Sequence, residues 1–127
     1  MLTEDRRTGE FIVSEAPGSL SRDTVTVTVP AGTTLKAGTV MGQISVSGKY
    51  VQYDDSLSDG AEDAAGILYA NVTNPDEDND ADIEAVIVNL NAEVVRDDLV
   101  FADGVDEDAA IADLLALNIK ARPSGAE

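Results

Sequence analysis

The sequence predicts a β-rich α+β domain: a small curved or barrel-like sheet (β-tulip-like or β-clip-like) with one C-terminal helix and an extended N-terminal arm. Valine and threonine alternate from Thr24 to Val29, which is typical of a half-buried strand. Closely spaced glycines among short apolar pairs over residues 30–44 favour tight turns and bulges in a curved sheet. One helical apolar stripe lies near the C-terminus. A chain of 127 residues is long enough for one domain.

Proline and glycine divide the chain into three segments. Residues 1–16 are expected to form an extended arm, which is polar up to an apolar tip and ends at a Pro17-Gly18 turn. Residues 17–122 are expected to form the single domain, in which the first strand ends before Pro30 because proline cannot donate to a ladder. Residues 123–127 follow as a tail that we expect to be disordered.

The middle of the chain predicts a hairpin and a buried strand. Val40–Val46 and Lys49–Tyr53 are separated by a Ser-Gly turn, which indicates an antiparallel pair. Tyr50 and Tyr53 lie on opposite faces of the second strand, so at most one of them is expected in the core. An apolar run within residues 64–72 predicts a buried strand.

The next strand is predicted over Ile83–Leu90 and is apolar on both faces. Such a pattern indicates either a central element or one that a neighbouring subunit covers. On the second alternative, one face is the candidate subunit interface, formed by Ile83, Ala85 and Ile87. In the following segment the strand and helix periods compete, and we predict a short helical turn over Arg96–Val100.

The clearest helix is predicted over Glu107–Leu117. Asp106 is a suitable N-cap, and acidic residues occupy the first turn, where the helix dipole favours negative charge. Asn118 can end the helix in a left-handed conformation, and Ile119–Arg122 is predicted to add a last short strand. The predicted apolar stripe consists of Ile111, Leu114 and Leu115.

Cysteine and histidine are both absent from the sequence. Their absence excludes disulfides, histidine-based catalysis, Cys-His nucleophiles and the usual zinc ligands. An enzyme would depend on carboxylates alone, for example a glycosidase-like pair drawn from Asp97, Asp98 or Glu93 beside a sugar-binding cleft. Aromatic residues, which usually hold the sugar, make up only 4% of the chain and include no tryptophan. We therefore expect a protein that is not an enzyme.

The charge excludes a second group of functions. Twenty-five acidic residues oppose eight basic ones, for a net charge of −17. Nucleic-acid binding requires clustered lysine and arginine and is not expected. No apolar stretch approaches the ~20 residues of a membrane helix, and the N-terminus is too polar for a signal peptide. The acidity fits a soluble, self-repelling surface or an adaptation to high salt, where screening removes the repulsion.

The acidic segment over residues 74–82 has the alternating aspartates of a calcium loop. An EF-hand loop beginning at Asp76 would require glycine and glutamate where this chain has Ala81 and Ile87. We therefore expect a solvated acidic hairpin loop, with no metal and no cofactor. Weak cation binding by this loop is the alternative. On that alternative, the chain is a monomeric acidic β-barrel that binds a ligand or a cation.

Four blocks of sequence, in order, carry a resemblance to a known family. They are GEFIVSEAPGSLSRDTVTVTV at 9–29, AGTVMGQISVSGKYVQYD at 37–54, DGAEDAAGILYANV at 59–72 and NAEVVRDDLVF at 91–101. This series resembles the lambda-type bacteriophage head decoration proteins. The resemblance implies a virion protein on the outer surface of the capsid of a tailed virus. It also implies homotrimers at three-fold and quasi-three-fold positions, which bind the major capsid protein and stabilise the head against genome pressure.

The resemblance also assigns a role to the N-terminal arm, which in such proteins lies against the capsid. Arg6 and Arg7 carry a quarter of the positive charge of the chain. They form either a solvated segment or a positive tip that approaches an acidic partner. The extended residues that follow could add a strand to an exposed sheet edge. The predicted capsid-binding residues are Arg6, Arg7, Glu10, Phe11, Ile12 and Val13.

Overall fold

The computed structural model describes residues 11–15 and 21–122 of the chain. Most of the predicted arm and the predicted tail lie outside these residues. Within them, the backbone forms ten strands, a 3-10 turn over Arg96–Asp98 and one helix, α1, over Glu107–Ala116. The strands are β1 (Ile12–Glu15), β2 (Arg22–Val29), β3 (Thr34–Leu35), β4 (Val40–Gln43), β5 (Tyr50–Gln52), β6 (Ala64–Leu68), β7 (Val72–Thr73), β8 (Ala81–Val88), β9 (Ala92–Val95) and β10 (Ile119–Arg122).

Five strands close into a small barrel in the order β2-β5-β4-β6-β8. The longest pairing joins β2 and β8, which run antiparallel in unbroken register from Arg22 opposite Val88 to Val29 opposite Ala81. A parallel contact between β2 and β5 completes the barrel, and β4 and β5 form the predicted antiparallel hairpin. The barrel and the C-terminal helix confirm the predicted β-rich fold class.

A second layer lies against the barrel. It is a three-stranded sheet in the order β1-β9-β10, with β1 antiparallel and β10 parallel to β9. The connection between the two parallel strands contains α1, which packs against β10 and against barrel strand β6. The short strands β3 and β7 form a separate antiparallel pair.

The two layers produce two hydrophobic cores, which we call the barrel core and the outer core. The barrel core is formed by Val27, Val29, Leu35, Met41, Tyr50, Leu68, Val72, Ala85 and Ile87. The outer core lies between the barrel, α1 and the three-stranded sheet, and is formed by Phe11, Val40, Tyr53, Ala64, Ile67, Val88, Ala92, Val94, Leu99, Ala110, Leu114 and Ile119. Full burial of one such large apolar side chain contributes roughly 1.5–3 kcal/mol.

The two cores explain why one prediction about the tyrosines is wrong. Tyr50 and Tyr53 are both buried, with 8% and 1% of their surface exposed. Tyr50 packs in the barrel core and Tyr53 in the outer core, because both faces of this part of the chain are covered. The Tyr53 hydroxyl donates to the carbonyl oxygen of Asp106 at 3.0 Å, and its ring meets Phe101 edge-on with centroids 6.5 Å apart.

The helix begins at Glu107 as predicted and ends at Ala116, one residue before the predicted end. The Asp106 carboxylate accepts a hydrogen bond from the Ala109 N–H at 3.0 Å, which satisfies one of the open donors of the first turn. Asn118 follows the helix in the left-handed region, with φ of 60°. Of the predicted stripe, Leu114 is fully buried and Ile111 packs partly buried against the outer core, whereas Leu115 is 57% exposed; Ala110, which was not predicted, is also fully buried. None of the helical segments in the described residues is long and apolar enough to cross a membrane.

Candidate functional site

The predicted capsid-binding arm divides at Phe11. Arg6, Arg7 and Glu10 lie outside the described residues, and Val13 is described only by its backbone in β1. Phe11 is completely buried in the outer core, and Ile12 packs partly buried against it. The Phe11 side chain therefore anchors the N-terminal segment inside its own chain, which corrects the expectation that this ring contacts a capsid.

The main chain of residues 11–15 is hydrogen-bonded to β9. The Phe11 carbonyl oxygen accepts a hydrogen bond from the Val95 N–H at 2.8 Å, and β1 pairs with β9 from Ile12 opposite Val94 to Glu15 opposite Ala92. We expected residues 10–13 to be able to extend an exposed sheet edge. In the structure, Ile12–Glu15 extend the sheet of the same chain.

The predicted subunit interface lies inside the barrel. Ile87 is fully buried, Ala85 is 9% exposed, and Ile83 packs partly buried against the same core. The opposite face of β8 carries Val88, which belongs to the outer core. The face of β8 that carries Ala85 and Ile87 is therefore covered by the chain itself, whereas on the opposite face Val88 is buried, Val86 is half-buried and Glu84 is exposed. Ala85 and Ile87 are not available to a neighbouring subunit.

The acidic loop between β7 and β8 is organised by a buried asparagine. The Asn74 amide group donates to the carbonyl oxygens of Val29 at 3.1 Å and Asn79 at 2.8 Å. Its side-chain oxygen accepts from the Asp76 N–H at 3.0 Å. Sequence reasoning missed this role, although an asparagine before a proline is a signal for a turn. One buried side chain therefore links the loop to the end of β2.

The carboxylates of this loop point to solvent. Residues 75–80 are all exposed, as predicted for a solvated loop. A hydrogen bond from the Asp78 N–H, together with one from the Asn79 side chain, lowers the pKa of Asp76. Within residues 11–15 and 21–122, no three acidic side chains are placed to share a metal ion.

Most basic side chains in the described residues have an acidic or aromatic neighbour. Three of them form ion pairs, namely Lys49 with Asp82 at 2.6 Å, Arg96 with Asp108 at 2.7 Å and Arg122 with Glu93 at 2.7 Å. The Arg22 guanidinium lies 4.1 Å from the centre of the Tyr69 ring. Because so few cations balance so many acids, the surface of the domain carries a large excess of negative charge.

These features define a domain with an apolar interior and a strongly acidic exterior. The buried residues build two apolar cores, while the charged residues are distributed over exposed loops and strand edges. The Glu93 carboxylate, one of the acids considered for a glycosidase-like pair, is bound to Arg122 at 2.7 Å. The arrangement is that of a binding or structural module with a charged exterior.

Comparison with known families identifies the module. The family described as Bacteriophage lambda head decoration protein D matches residues 1–119 of the chain, and the chain therefore belongs to this family. The match confirms the resemblance found in the sequence. The family is structural rather than enzymatic, is a component of the phage head and binds the capsid. A comparison with individual curated proteins finds no significant match.

Proposed function

We propose that this protein is a cement protein of the mature viral head. It binds the outer surface as a homotrimer at three-fold and quasi-three-fold positions, contacts the major capsid protein and stabilises the shell against the pressure of the packaged genome. The observation that carries the proposal is the family match over residues 1–119. The strongly acidic surface supports it, because mutual repulsion keeps free copies soluble until they meet a large partner.

The contact is assigned to the part of the arm that precedes the anchor. Because Phe11 is buried in the outer core, the proposed capsid contact is restricted to residues 1–10. Within them, Arg6, Arg7 and Glu10 are proposed to contact the capsid, with the arginine pair as a positive tip on an acidic body. Ile12 is assigned to positioning this tip, together with the ring of Phe11.

Three arms in one trimer explain how weak contacts can give firm binding. After one arm binds, the other two meet their sites at a high effective concentration, which can increase the overall affinity by roughly 10²–10⁴. A trimer that bridges neighbouring capsid subunits in this way opposes their separation. Loss of one arm from the trimer should therefore lower the overall affinity for the capsid by more than the affinity of that single arm.

A deletion that ends before Phe11 tests the arm. We expect a chain lacking residues 1–10 to keep its thermal midpoint and to lose sedimentation with purified expanded capsids of the source virus. The double substitution Arg6→Ala/Arg7→Ala should weaken binding in the same direction. Its matched control, Lys36→Ala/Lys120→Ala, removes two positive charges from the body and should leave binding almost unchanged. Undiminished capsid binding by the deleted chain would contradict the assignment.

Cryo-electron microscopy of decorated capsids tests the location and the oligomeric state. The expected result is density for three copies around each three-fold and quasi-three-fold axis on the outer surface. Sedimentation velocity of decorated capsids should show the corresponding stoichiometry. Single copies, or density at other positions, would contradict the trimer while leaving the family assignment in place.

A further inference from the structure

Two aspartates in the chain precede a glycine, Asp59 before Gly60 and Asp103 before Gly104. Glycine has no Cβ to shield its main-chain nitrogen, so this dipeptide is chemically prone to rearrangement. The glycine nitrogen can bond to Cγ of the protonated aspartate side chain. The nitrogen gives up its hydrogen and Cγ gives up its hydroxyl group, and the two leave together as one molecule of water. Water then reopens the cyclic imide. Opening at the main-chain carbonyl leaves an isoaspartate, whose mass equals that of the original residue.

We propose that Asp103 is a site of spontaneous isoaspartate formation and that the fold protects Asp59 from the same reaction. The two sites share their local sequence chemistry and differ in their surroundings. The proposal is independent of the proposed function, because it concerns the chemistry of the chain itself.

The surroundings of Asp103 leave the reacting atoms free to meet. Asp103 and Gly104 are both exposed. Neither takes part in a hydrogen bond or an ion pair within the described part of the chain. Gly104 has φ of 81°, and no atom lies within 4 Å of the position that a Cβ would take there. The aspartate side chain and the following peptide can therefore rotate into the geometry of attack.

The surroundings of Asp59 hold the same atoms apart. The Gly60 N–H, whose nitrogen would attack, donates to the Glu62 carboxylate at 2.8 Å. The Asp59 side chain accepts from the Ala61 N–H at 3.1 Å, and its carbonyl oxygen accepts from the Ser45 N–H at 2.8 Å. A Cβ on Gly60 would lie 2.4 Å from the carbonyl oxygen of Gln43, so the backbone is closely packed. The peptide cannot turn without breaking these contacts.

The neighbours of Asp103 confine the consequence of the reaction to its loop. Phe101, which precedes it, contacts the Tyr53 ring edge-on. Asp106, which follows it, accepts a hydrogen bond from the Tyr53 hydroxyl through its carbonyl oxygen. An isoaspartate adds one main-chain carbon between these two points. The loop is then longer, while the helix cap and the outer core are held in place from either side.

Ageing of the full-length protein tests the proposal. The folded protein is incubated at neutral pH and elevated temperature, and a parallel sample is incubated in urea. Peptides are assayed by enzymatic methylation of isoaspartate and by electron-transfer fragmentation, which locates the residue. We expect isoaspartate at residue 103 to exceed that at 59 several-fold in the folded sample and the two sites to become similar in urea.

Two conservative variants make the outcome decisive. Asp103→Glu should abolish the main signal of the folded protein, because the longer side chain forms the cyclic imide far more slowly. Asp59→Glu should leave that signal unchanged. The proposal is overturned by a folded protein without isoaspartate at residue 103. Equal or greater accumulation at residue 59 in the folded state overturns it as well.

Discussion

At the scale of single residues, Tyr53 connects the barrel hairpin, the outer core and the start of α1. It follows the barrel hairpin, its ring packs against Phe101 in the outer core, and its hydroxyl donates to Asp106, the residue that caps α1. Burial, with a smaller contribution from nearby aspartates led by Asp55, raises the pKa of Tyr53 to about 12. The phenol therefore stays protonated and keeps its hydrogen bond at neutral pH.

Substitution of this residue should change both the stability and its dependence on pH. At neutral pH, we expect Tyr53→Phe to lower the free energy of unfolding by about 1 kcal/mol, because the hydrogen bond between the hydroxyl and the Asp106 carbonyl is lost, while that carbonyl keeps its bond from the Ala110 N–H. The raised pKa in the folded state means that the stability due to the neutral phenol is complete below about pH 10 and is lost as the pH approaches 12. The difference between wild type and variant should therefore shrink, and then reverse, across this range.

Urea unfolding at a series of pH values measures this effect. Tyr69→Phe is the matched control, since the ring stays in place beside Arg22 and the pH profile should follow that of the wild type. A constant difference between wild type and Tyr53→Phe from neutral pH to pH 12 would show that Tyr53 does not titrate as described.

Among the elements, β1 directly follows the segment that we propose to contact the capsid. It is one of the two edge strands of the three-stranded sheet, and the Phe11 side chain immediately before it is fully buried in the outer core. The arm that the sequence predicts over residues 1–16 lies outside the domain, and on that prediction alone a chain lacking residues 1–13 is expected to fold. The structure reverses that expectation: such a deletion would remove the Phe11 ring and half of the strand.

Truncation of this ring should therefore destabilise the whole domain. We expect Phe11→Ala to lower the free energy of unfolding by about 3–5 kcal/mol, the usual cost of removing a fully buried phenylalanine ring. Leu115→Ala is the control for loss of an exposed apolar side chain and should change it by at most about 0.5 kcal/mol. Chemical denaturation of both variants measures the two values. A near-neutral Phe11→Ala would mean that β1 does not dock as described.

At the same scale, the sequence predicted the type of most elements well and their burial less well. The helix with its Asp106 cap, the left-handed Asn118 and the β4–β5 hairpin follow from local rules on caps, periods and turns. Local periodicity shows which residues share a face, but it does not show what covers that face. The burial of both Tyr50 and Tyr53 depends on a second layer built from distant strands.

The candidate site shows the same division between local pattern and long-range packing. The family and its structural role could be recognised from the order of four sequence blocks. The anchoring of Phe11 could not, because it depends on pairing between β1 and β9 across about 80 residues of chain. The interior position of Ile87 likewise follows from closure of the barrel, which alternation alone does not specify.

For the whole molecule, the dominant property is the net charge of −17. The ion pairs of Lys49, Arg96 and Arg122 join side chains that are at least partly exposed to solvent, and such pairs contribute little, typically about 0–1 kcal/mol each. Repulsion among the remaining acids opposes the compact state. Burial of the two apolar cores must therefore outweigh this repulsion. Added salt screens the repulsion and should raise the free energy of unfolding.

Thermal unfolding across a range of salt tests this balance. We expect the melting temperature to rise with NaCl, most steeply at low concentration, because the Debye length falls from about 30 Å at 0.01 M to about 10 Å at 0.1 M. The exposed loop variant Glu77→Gln/Asp78→Asn should melt higher at low salt and show a weaker dependence on NaCl. Lys120→Gln, which removes an exposed cation, should lower the melting temperature at low salt and make it depend more strongly on NaCl. A melting temperature that is constant or falls with salt would contradict both the repulsion and an adaptation to high salt. It would leave solubility as the physical role of the acidic surface.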